Sequence, residues 1–155
     1  MKEARPFSAT EVAIAKPVIR VMSRLNTWAY RLSGGRLFGK WIHGEPIALV
    51  TVTGRKTGRA LTVPLVYLRD GDRLVLVASK GGMDQHPLWY LNMRAHPDVE
   101  VQIGQGVRRM RARTADGAER AHYWPKLVAL NRDFDQYQAR ARPAREIPVV
   151  ILSPA

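Results

Sequence analysis

Hydrophobic residues recur at helical spacing near the start of the chain. Between Ala9 and Leu32 they fall on one side of a helix, and lysine and arginine fall on the other side. The apolar side is formed by Ile14, Val18, Val21, Met22, Leu25, Trp28, Ala29 and Leu32. Pro17 predicts a kink or a later start, and Ser33-Gly34-Gly35 predicts the end of the helix. Residues 1–35 are therefore predicted to form an amphipathic N-terminal helical segment.

Six later stretches have the alternating or wholly apolar pattern of β-strands. They are Ile47 to Thr53, Leu61 to Tyr67, Leu74 to Ala78, Val99 to Ile103, Val107 to Thr114 and Ile147 to Leu152. Tight turns such as Asp70-Gly71-Asp72 and Gly104-Gln105-Gly106 join several of them, which predicts antiparallel pairing. Two more helices are predicted, from Pro87 to Ala95 and from Asp116 to about Ala141, the second with a break near Asn131.

Strands and helices do not alternate regularly along the chain, so a Rossmann-type sheet is not favoured. The predicted fold is α+β: a closed or half-closed barrel of about six mostly antiparallel strands, with an N-terminal helix and inserted helices. The 155 residues show no repeat or linker, and 46% of them are apolar. These values predict a single folded domain that spans residues 1–155.

Residue types that are missing or scattered exclude several kinds of site. The chain has no cysteine, which excludes disulfides, iron–sulfur clusters, thiolate zinc sites and cysteine nucleophiles. Its four histidines, His43, His86, His96 and His122, show no metal-ligand spacing, so no metal site is predicted. The first ten residues lack the apolar run of a secretory signal, and no stretch is apolar enough to span a bilayer. A cytoplasmic protein is therefore expected.

A basic turn lies at Thr53-Gly54-Arg55-Lys56-Thr57-Gly58, with Arg59 directly after it. The formal net charge of +12 already favours an anionic partner, such as nucleic acid, anionic lipid or a polyanionic small molecule. The glycines of the turn can expose backbone N–H groups, and its hydroxyls and cations complete a cradle suited to phosphate. It is not a Walker A loop, because a strand rather than a helix follows it. A solvated basic hairpin loop explains the pattern equally well.

Two other segments have features of a pocket for a flat ring. In Ala78-Ser79-Lys80-Gly81-Gly82, a buried strand runs into small residues that let a ring approach the backbone, and Lys80 can neutralise an anion. An ordinary strand end with a flexible loop is the alternative. Trp89 and Tyr90 point in adjacent directions from a helix, so at most one of them fits fully in the core and the other can line a pocket. Partial burial of both for packing is the favoured alternative.

In this order, the segments resemble the deazaflavin (coenzyme F420)-dependent nitroreductase family of split-barrel oxidoreductases. The motifs that carry the resemblance are Met22 to Tyr30, Thr53 to Gly58, Leu68 to Gly71, Ala78 to Gly82, Pro87 to Asn92, Tyr123 to Leu127 and Ile147 to Val150. Each motif is weak singly, and together they cover nearly the whole chain. The resemblance implies an FMN-binding-like split β-barrel with reduced coenzyme F420 as the hydride donor.

The resemblance also implies which residues hold the cofactor. Arg55, Lys56 and Thr57 match the turn that holds its phosphate, with Thr53 and Arg59 beside them. The residues that match the walls of the deazaflavin ring pocket are Pro64, Leu65, Ala78, Ser79, Lys80, Gly81, Gly82, Trp89 and Tyr90. The phosphate and polyglutamate tail of this cofactor account for a basic protein without any nucleic acid.

The chain departs from the family pattern on the substrate side. Val66, Asn131 and Phe134 stand where the nitroimidazole-reducing member has tyrosines, Tyr137 alone keeps its hydroxyl, and Leu61 replaces a basic residue. The residues predicted to line the substrate pocket are Trp28, Val66, Asn131, Phe134 and Tyr137. Hydride transfer from C5 of the reduced deazaflavin to a flat, electron-poor acceptor is expected, with Ser79 and Tyr137 as hydrogen-bonding residues. A quinone is the favoured acceptor, and nitroaromatics or enones are alternatives.

Several alternatives stay open from the sequence. The apolar face of the first helix suits peripheral contact with the inner face of a membrane, but packing on the barrel, with Leu25 and Trp28 as lid contacts, is slightly favoured. The hypothesis of a nucleic-acid-binding module is supported by charge alone. Arg109, Arg111 and Arg113 share one strand face, but no aromatic residues alternate with them to stack on bases. An FMN-binding barrel and a non-catalytic cofactor binder are further alternatives. The oligomeric state, monomer or homodimer, is not determined.

Overall fold

The structure, a computed structural model, describes residues 8–33 and 44–155. It contains four α-helices and six strands within these ranges: α1 (Ala9–Ser33), β1 (Ile47–Thr53), β2 (Ala60–Asp70), β3 (Arg73–Val77), α2 (Leu88–Ala95), β4 (Asp98–Ile103), β5 (Gly106–Thr114), α3 (Gly117–Leu130), α4 (Asp133–Ala141) and β6 (Val149–Pro154). One 3₁₀ turn, Lys80–Gly82, follows β3. The predicted Gly34-Gly35 helix end and His43 lie outside the described residues.

The strands form a closed barrel in the order β1-β2-β3-β6-β5-β4, and β4 pairs back onto β1. Every neighbouring pair is antiparallel. Short turns join β2 to β3 and β4 to β5, where Gly71 and Gly104 take positive φ values of 61° and 59°. The α+β split-barrel prediction is confirmed.

Two hydrophobic clusters lie on the two faces of the same wall of the barrel. Inward-facing residues of all six strands fill the interior, including Val50, Leu76 and Leu152. On the outside, Val75 and Ile151 pack with residues of α3 and α4. Because β3 and β6 are covered on both faces, both are apolar at nearly every position, and periodicity alone could not assign an inward face to them.

The two late helices begin and end at residues with clear local causes. Asp116 caps α3 through a reciprocal pair of bonds: its carboxylate accepts from the Glu119 N–H at 2.8 Å, and the Glu119 carboxylate accepts from the Asp116 N–H at 3.0 Å. Asn131 follows α3 with extended backbone, and its side chain accepts a bond from the Asp133 N–H at the start of α4. The predicted helix break near Asn131 is confirmed.

The ladder between β2 and β3 is short. It joins Tyr67–Asp70 to Arg73–Leu76, whereas β1 pairs with β2 along the whole range from Ala60 to Val66. The first half of β2 therefore has a ladder partner on one side only. Pro64 lies in this half, where its missing N–H removes no bond to β3. We call this unpaired edge of β2, together with the chain that leaves β3, the seam.

Helix α1 is tied to the barrel at its C-terminal end. Tyr30 is buried, and its hydroxyl donates to the Ile47 carbonyl at 3.3 Å and accepts from the Gly104 N–H at 2.8 Å. Arg31 donates to the Thr62 hydroxyl at 2.9 Å. No helix in the described ranges is both long and apolar enough to cross a membrane.

The apolar face of α1 is exposed. Leu25 and Trp28 have 63% and 65% of their surface accessible, and the same face includes the exposed residues Val18, Val21, Met22 and Leu32. The expectation that Leu25 and Trp28 pack on the barrel as a lid is wrong for this structure. The physical reason is that the contacts of Tyr30 and Arg31 turn the opposite side of the helix toward the barrel.

Replacing Tyr30 with phenylalanine is expected to lower the free energy of unfolding by about 1–3 kcal/mol, because the Gly104 N–H loses a buried partner. Urea denaturation measures the change. Leu32→Ala, at an exposed position of the same helix, is the control and should change stability by less than about 0.5 kcal/mol. Equal stability of Tyr30→Phe and the wild type would show that this contact does not anchor α1.

Candidate active site

The predicted site segments meet at one end of the barrel. The registers place Thr53 beside Ala60, Thr51 beside Glu100 and Val77 beside Val149. Because neighbouring strands are antiparallel, the β1–β2 turn, the start of β4 and the loop after β3 lie at this same end. Helix α2 contacts both β1 and β5 here. The fold thus brings together the basic turn, the small-residue loop and the Trp-Tyr helix, which are distant in sequence.

The basic turn between β1 and β2 is closed by its own backbone. Gly54 donates to the Arg59 carbonyl and Gly58 donates to the Gly54 carbonyl, both at 2.8 Å. A Cβ at Gly54 would lie 2.7 Å from the Thr57 hydroxyl oxygen, and Gly58 has a φ of 69°. Both glycines are therefore required by the turn. It presents Arg55, Lys56, Thr57 and Arg59 at the surface.

Asn92 of α2 binds the basic turn through Arg55. Its buried side-chain oxygen accepts from the Arg55 N–H at 3.1 Å and from the Arg55 guanidinium at 3.3 Å. A buried amide must be paired, so this contact sets the distance between the turn and α2. Asn92 was not among the predicted site residues. The signal in the sequence was a polar residue at a helix position flanked by Leu91 and Met93.

The loop after β3 has an unusual backbone. Lys80, Gly81 and Gly82 have φ values of 46°, 62° and 81°. Lys80 is the only non-glycine residue with positive φ among the described residues. A Cβ at Gly82 would lie 2.5 Å from the Tyr137 carbonyl oxygen and 3.0 Å from the Arg140 Cβ, so the loop packs directly on α4. The predicted flexible-loop alternative does not describe this packed turn.

Two arginines bind the carbonyls of this loop. Arg145 donates to the carbonyls of Ala78, Ser79 and Met83 at 3.1, 2.6 and 2.8 Å. Arg140 donates to the Gly81 carbonyl at 2.8 Å. Neither arginine was among the site residues predicted from the sequence.

The seam in the barrel wall brings β2 to the same loop. Continuing the β2–β3 register beyond Tyr67 and Leu76 would place Ala78 opposite Leu65 and Ser79 opposite Pro64. Instead the chain turns away after Val77. Leu65 packs against the barrel interior, whereas Val66 packs outside it. Pro64 and Leu65 lie on the β2 side of the seam, and Ala78, which is buried, and Ser79 lie on the β3 side.

The two aromatic residues of α2 have different surroundings. Tyr90 is buried, and its hydroxyl lies 2.9 Å from that of Thr114. Trp89 is half-buried, with its ring centroid 6.2 Å from that of Tyr90. A cavity of about 190 Å³ lies between α2 and β5, bounded by Tyr90, Met93, Arg94, Ala112, Arg113 and Thr114. The residues of the turn and of the loop do not line it, so it is separate from the seam.

The predicted substrate-lining residues do not share one surface. Asn131 and Phe134 are buried at the α3–α4 junction, and Trp28 is exposed on α1. Tyr137 is half-buried beside the loop, with its ring 6.4 Å from that of Phe134. Burial, followed by the charge of Asp133, raises the pKa of Tyr137 above its usual value. Its hydroxyl is thus protonated at neutral pH and can donate a hydrogen bond.

The strand arginines of the nucleic-acid hypothesis are largely engaged with carboxylates. Arg113 forms two bonds with Glu119, at 2.6 and 2.7 Å, and Arg111 pairs with Asp98 at 3.0 Å. The Arg113 contact is the main cause that lowers the pKa of Glu119 to about 2. No group of three or more potential metal ligands occurs among the described residues.

A family model described as F420H(2)-dependent quinone reductase matches residues 22–154, which is most of the chain. The chain belongs to this family. An F420H(2)-dependent quinone reductase of Mycobacterium tuberculosis is 37% identical over 134 residues, covering 84% of this chain and 88% of the relative. The family assignment makes the protein an oxidoreductase with reduced coenzyme F420 as donor and a quinone as acceptor. The resemblance implied this donor, and a quinone was the favoured acceptor.

Solved structures agree with this assignment. A structure described as an F420-H2 dependent reductase is 40% identical, with a TM-score of 0.64, and covers 70% of this chain and 94% of its own. A second structure is 36% identical, with a TM-score of 0.66, covers 88% of this chain and 99% of its own, and is described as a domain-swapped dimer. The split-barrel fold and the cofactor type follow from the family.

The residues at the barrel end fit a phosphate-bearing, ring-containing cofactor. Lys56 and Arg59 are exposed and make no ion pair within the described part of the chain. Because Gly54 has no side chain, the turn is tight. The side chains of Lys56 and Arg59 lie on its outer surface. On the other side, the small residues Ala78 and Ser79 follow β3, with Ala78 buried; small side chains allow close approach of a flat ring.

His86 couples this site to pH. Burial, then the charges of Arg145 and Arg94, lowers the pKa of His86, and its Nδ1 lies 3.3 Å from the Arg145 guanidinium. Since the pKa is lower in the folded state, the contribution of neutral His86 to stability is fully present above pH 6.5 and is lost as the pH decreases through the folded-state pKa. We expect His86→Asn, which can still accept from Arg145, to flatten this decrease. Urea denaturation at pH 5 to 8 measures it, and an unchanged slope would contradict the assignment.

Proposed function

We propose that the basic turn holds the phosphate of coenzyme F420 and that the seam beside it holds the deazaflavin ring. The supporting observation is a continuous chain of contacts. The turn bonds to Asn92 on α2, and His86, just before α2, has its ring 5.1 Å from the Tyr90 ring. His86 also contacts Arg145, which binds the loop after β3. A phosphate site and a ring site on one connected framework suit one elongated cofactor.

Each part of this framework has a distinct role in the proposal. Arg55, Lys56, Thr57 and Arg59 bind the phosphate, with Thr53 at the base of the turn, through charge-assisted hydrogen bonds. Pro64, Leu65 and the segment Ala78 to Gly82 line the ring, with Trp89 and Tyr90 of α2 supporting this end. Lys80 adds positive charge beside the ring.

The bound cofactor supplies the hydride, and the chain positions the acceptor. Ser79 and Tyr137 lie on the two sides of the contact between the loop and α4. We propose that both hydroxyls hydrogen-bond the quinone oxygen. The raised pKa of Tyr137 keeps its proton available for this bond at neutral pH. Val66, Asn131, Phe134 and Trp28 remain predicted substrate-side positions.

Lys56→Ala is expected to weaken binding of oxidised F420 by about tenfold or more, because a charge-assisted bond to phosphate contributes roughly 1.5–3 kcal/mol. Quenching of tryptophan fluorescence during titration gives the Kd. Arg108→Ala removes the same charge from an exposed strand position and is the control. Equal affinity of Lys56→Ala and the wild type would remove the phosphate role of the turn. Absence of binding by the wild type would remove the cofactor assignment itself.

The acceptor range follows from the altered substrate side. Val66 offers no hydroxyl, and Asn131 and Phe134 are buried, so Tyr137 is the one aromatic hydroxyl that we assign to the acceptor. We therefore propose quinones as preferred acceptors over nitroimidazoles. A screen of menadione, nitroaromatics and enones with reduced F420 distinguishes an enzyme from a non-catalytic cofactor binder. A yellow protein as purified would favour FMN instead.

We also propose that α1 makes peripheral contact with an anionic membrane surface, from which a quinone would be reached. Its exposed apolar face and the exposed Arg24 and Arg31 support this contact. A second copy of the chain is the alternative occupant, since a relative forms a domain-swapped dimer. Either occupant would cover the apolar face.

The double variant Leu25→Ser/Trp28→Ser is expected to lose most of the binding to vesicles of mixed anionic and zwitterionic lipid, because it removes the apolar anchor. Co-sedimentation measures binding, and Leu61→Ser, an exposed apolar residue on β2, is the control. Light scattering on the same proteins reports the dimer. Vesicle binding that is unchanged in the double variant would contradict the membrane contact, and loss of a wild-type dimer would favour the second copy.

A further inference from the structure

We propose that Arg145 is a positioning residue of the active site, whose guanidinium fixes the loop from Ala78 to Met83 in the one backbone shape that presents Ser79 and Lys80 to the cofactor. The proposal rests on the proposed function of this loop. It concerns a residue that lies 62 or more positions away in sequence from every loop carbonyl it binds.

The loop needs an external support because its own backbone is strained. Lys80 carries a side chain at a φ of 46°, and Gly81 and Gly82 continue in the left-handed region. L-residues avoid this conformation, and it persists only where the surroundings determine it. Within the loop, the Gly82 and Met83 N–H groups donate to Ser79 and Lys80 at 2.9 and 3.2 Å. These two bonds close a single turn and do not fix its direction.

Arg145 fixes the direction of the turn, because its guanidinium binds several loop carbonyls at once. Its three nitrogens divide among three carbonyls and one imidazole: Nε binds Met83, Nη2 binds Ser79, and Nη1 binds Ala78 and approaches His86. A planar fork of fixed donors holds several acceptors at once, whereas a lysine ammonium is a compact point charge on a flexible stem. One side chain therefore spans both ends of the loop.

Arg145 is itself held in place from the opposite side. Its N–H donates to the Ala141 carbonyl at 3.1 Å, and its carbonyl accepts from the buried Gln138 side chain at 3.3 Å. Gln138 also accepts from Arg120 and from the Ile147 N–H, both at 2.8 Å. Half-burial lowers the pKa of Arg145, but an arginine remains charged at neutral pH. The loop is thus connected to the end of α4 and the start of β6.

The position of Tyr137 depends on the same contact. Gly82 packs against the Tyr137 carbonyl, and Arg140, one turn later on α4, binds the Gly81 carbonyl. If the loop moves, the distance between Ser79 and Tyr137 changes with it. Catalytic geometry tolerates little displacement, since a 1 Å misplacement can reduce the rate by up to roughly 100-fold.

Arg145→Ala tests the proposal, with Arg108→Ala as the charge-matched control. We expect the alanine variant to lose hydrogen-exchange protection at the Gly82 and Met83 amides, to bind oxidised F420 more weakly and to lose up to roughly 100-fold in kcat/KM with menadione. Millimolar guanidinium chloride should partly restore both exchange protection and turnover in Arg145→Ala, and neither should change in the control. Rescue by free guanidinium would show that the donor fork itself, rather than the rest of the side chain, holds the loop.

The proposal would be overturned if folded Arg145→Ala showed the hydrogen exchange and kinetics of the wild type. An equal loss of exchange protection and kcat/KM in Arg108→Ala would also overturn it. If thermal melting shows that the alanine variant is unfolded, Arg145→Lys decides: it keeps the charge without the fork, and wild-type values in it would also overturn the proposal. If the wild-type protein binds no F420, the proposed function fails. Hydrogen exchange at the two amides still decides whether Arg145 fixes the loop.

Discussion

The early end of the β2–β3 ladder is the constraint on which the rest of the site depends. Four residue pairs join the two strands, and beyond Tyr67 and Leu76 they separate. Had the register continued, backbone bonds would have occupied the edge that now forms the seam. Pro64 has no N–H to offer a continued ladder, and the left-handed turn at Lys80 takes β3 away from β2. The first half of β2 thus lacks a strand partner on one side, although the barrel is closed.

Buried and half-buried polar side chains hold the parts of this end of the barrel together. Asn92 holds the basic turn against α2, and Gln138 and Arg145 hold the loop against α4 and β6. Each forms a hydrogen bond with a backbone N–H or carbonyl group that has no partner in a strand ladder. Removing one of these side chains therefore leaves a backbone group unpaired. The barrel supplies the rigid support, and these few contacts set the positions of the basic turn and of the loop after β3.

The positive charges of the strands and of the basic turn differ in their ion pairing. Arg111 and Arg113 on β5 are paired with Asp98 and Glu119, whereas Lys56 and Arg59 of the turn are exposed without an ion pair in the described ranges. The net charge of +12 attracts anions to the whole molecule. Under the proposed function, the turn converts that general attraction into a local site for a phosphate.

The sequence by itself determined the strands, the turn chemistry and the break at Asn131, because periodicity, glycine positions and capping residues act over a few neighbouring residues. Its motifs in order also identified the family. Only the tertiary structure decided which face of α1 is exposed, where Phe134 is buried and what Asn92 and Arg145 bind. These depend on contacts between residues such as Arg145 and Ala78, 67 positions apart, and local pattern carries no information about such a distance.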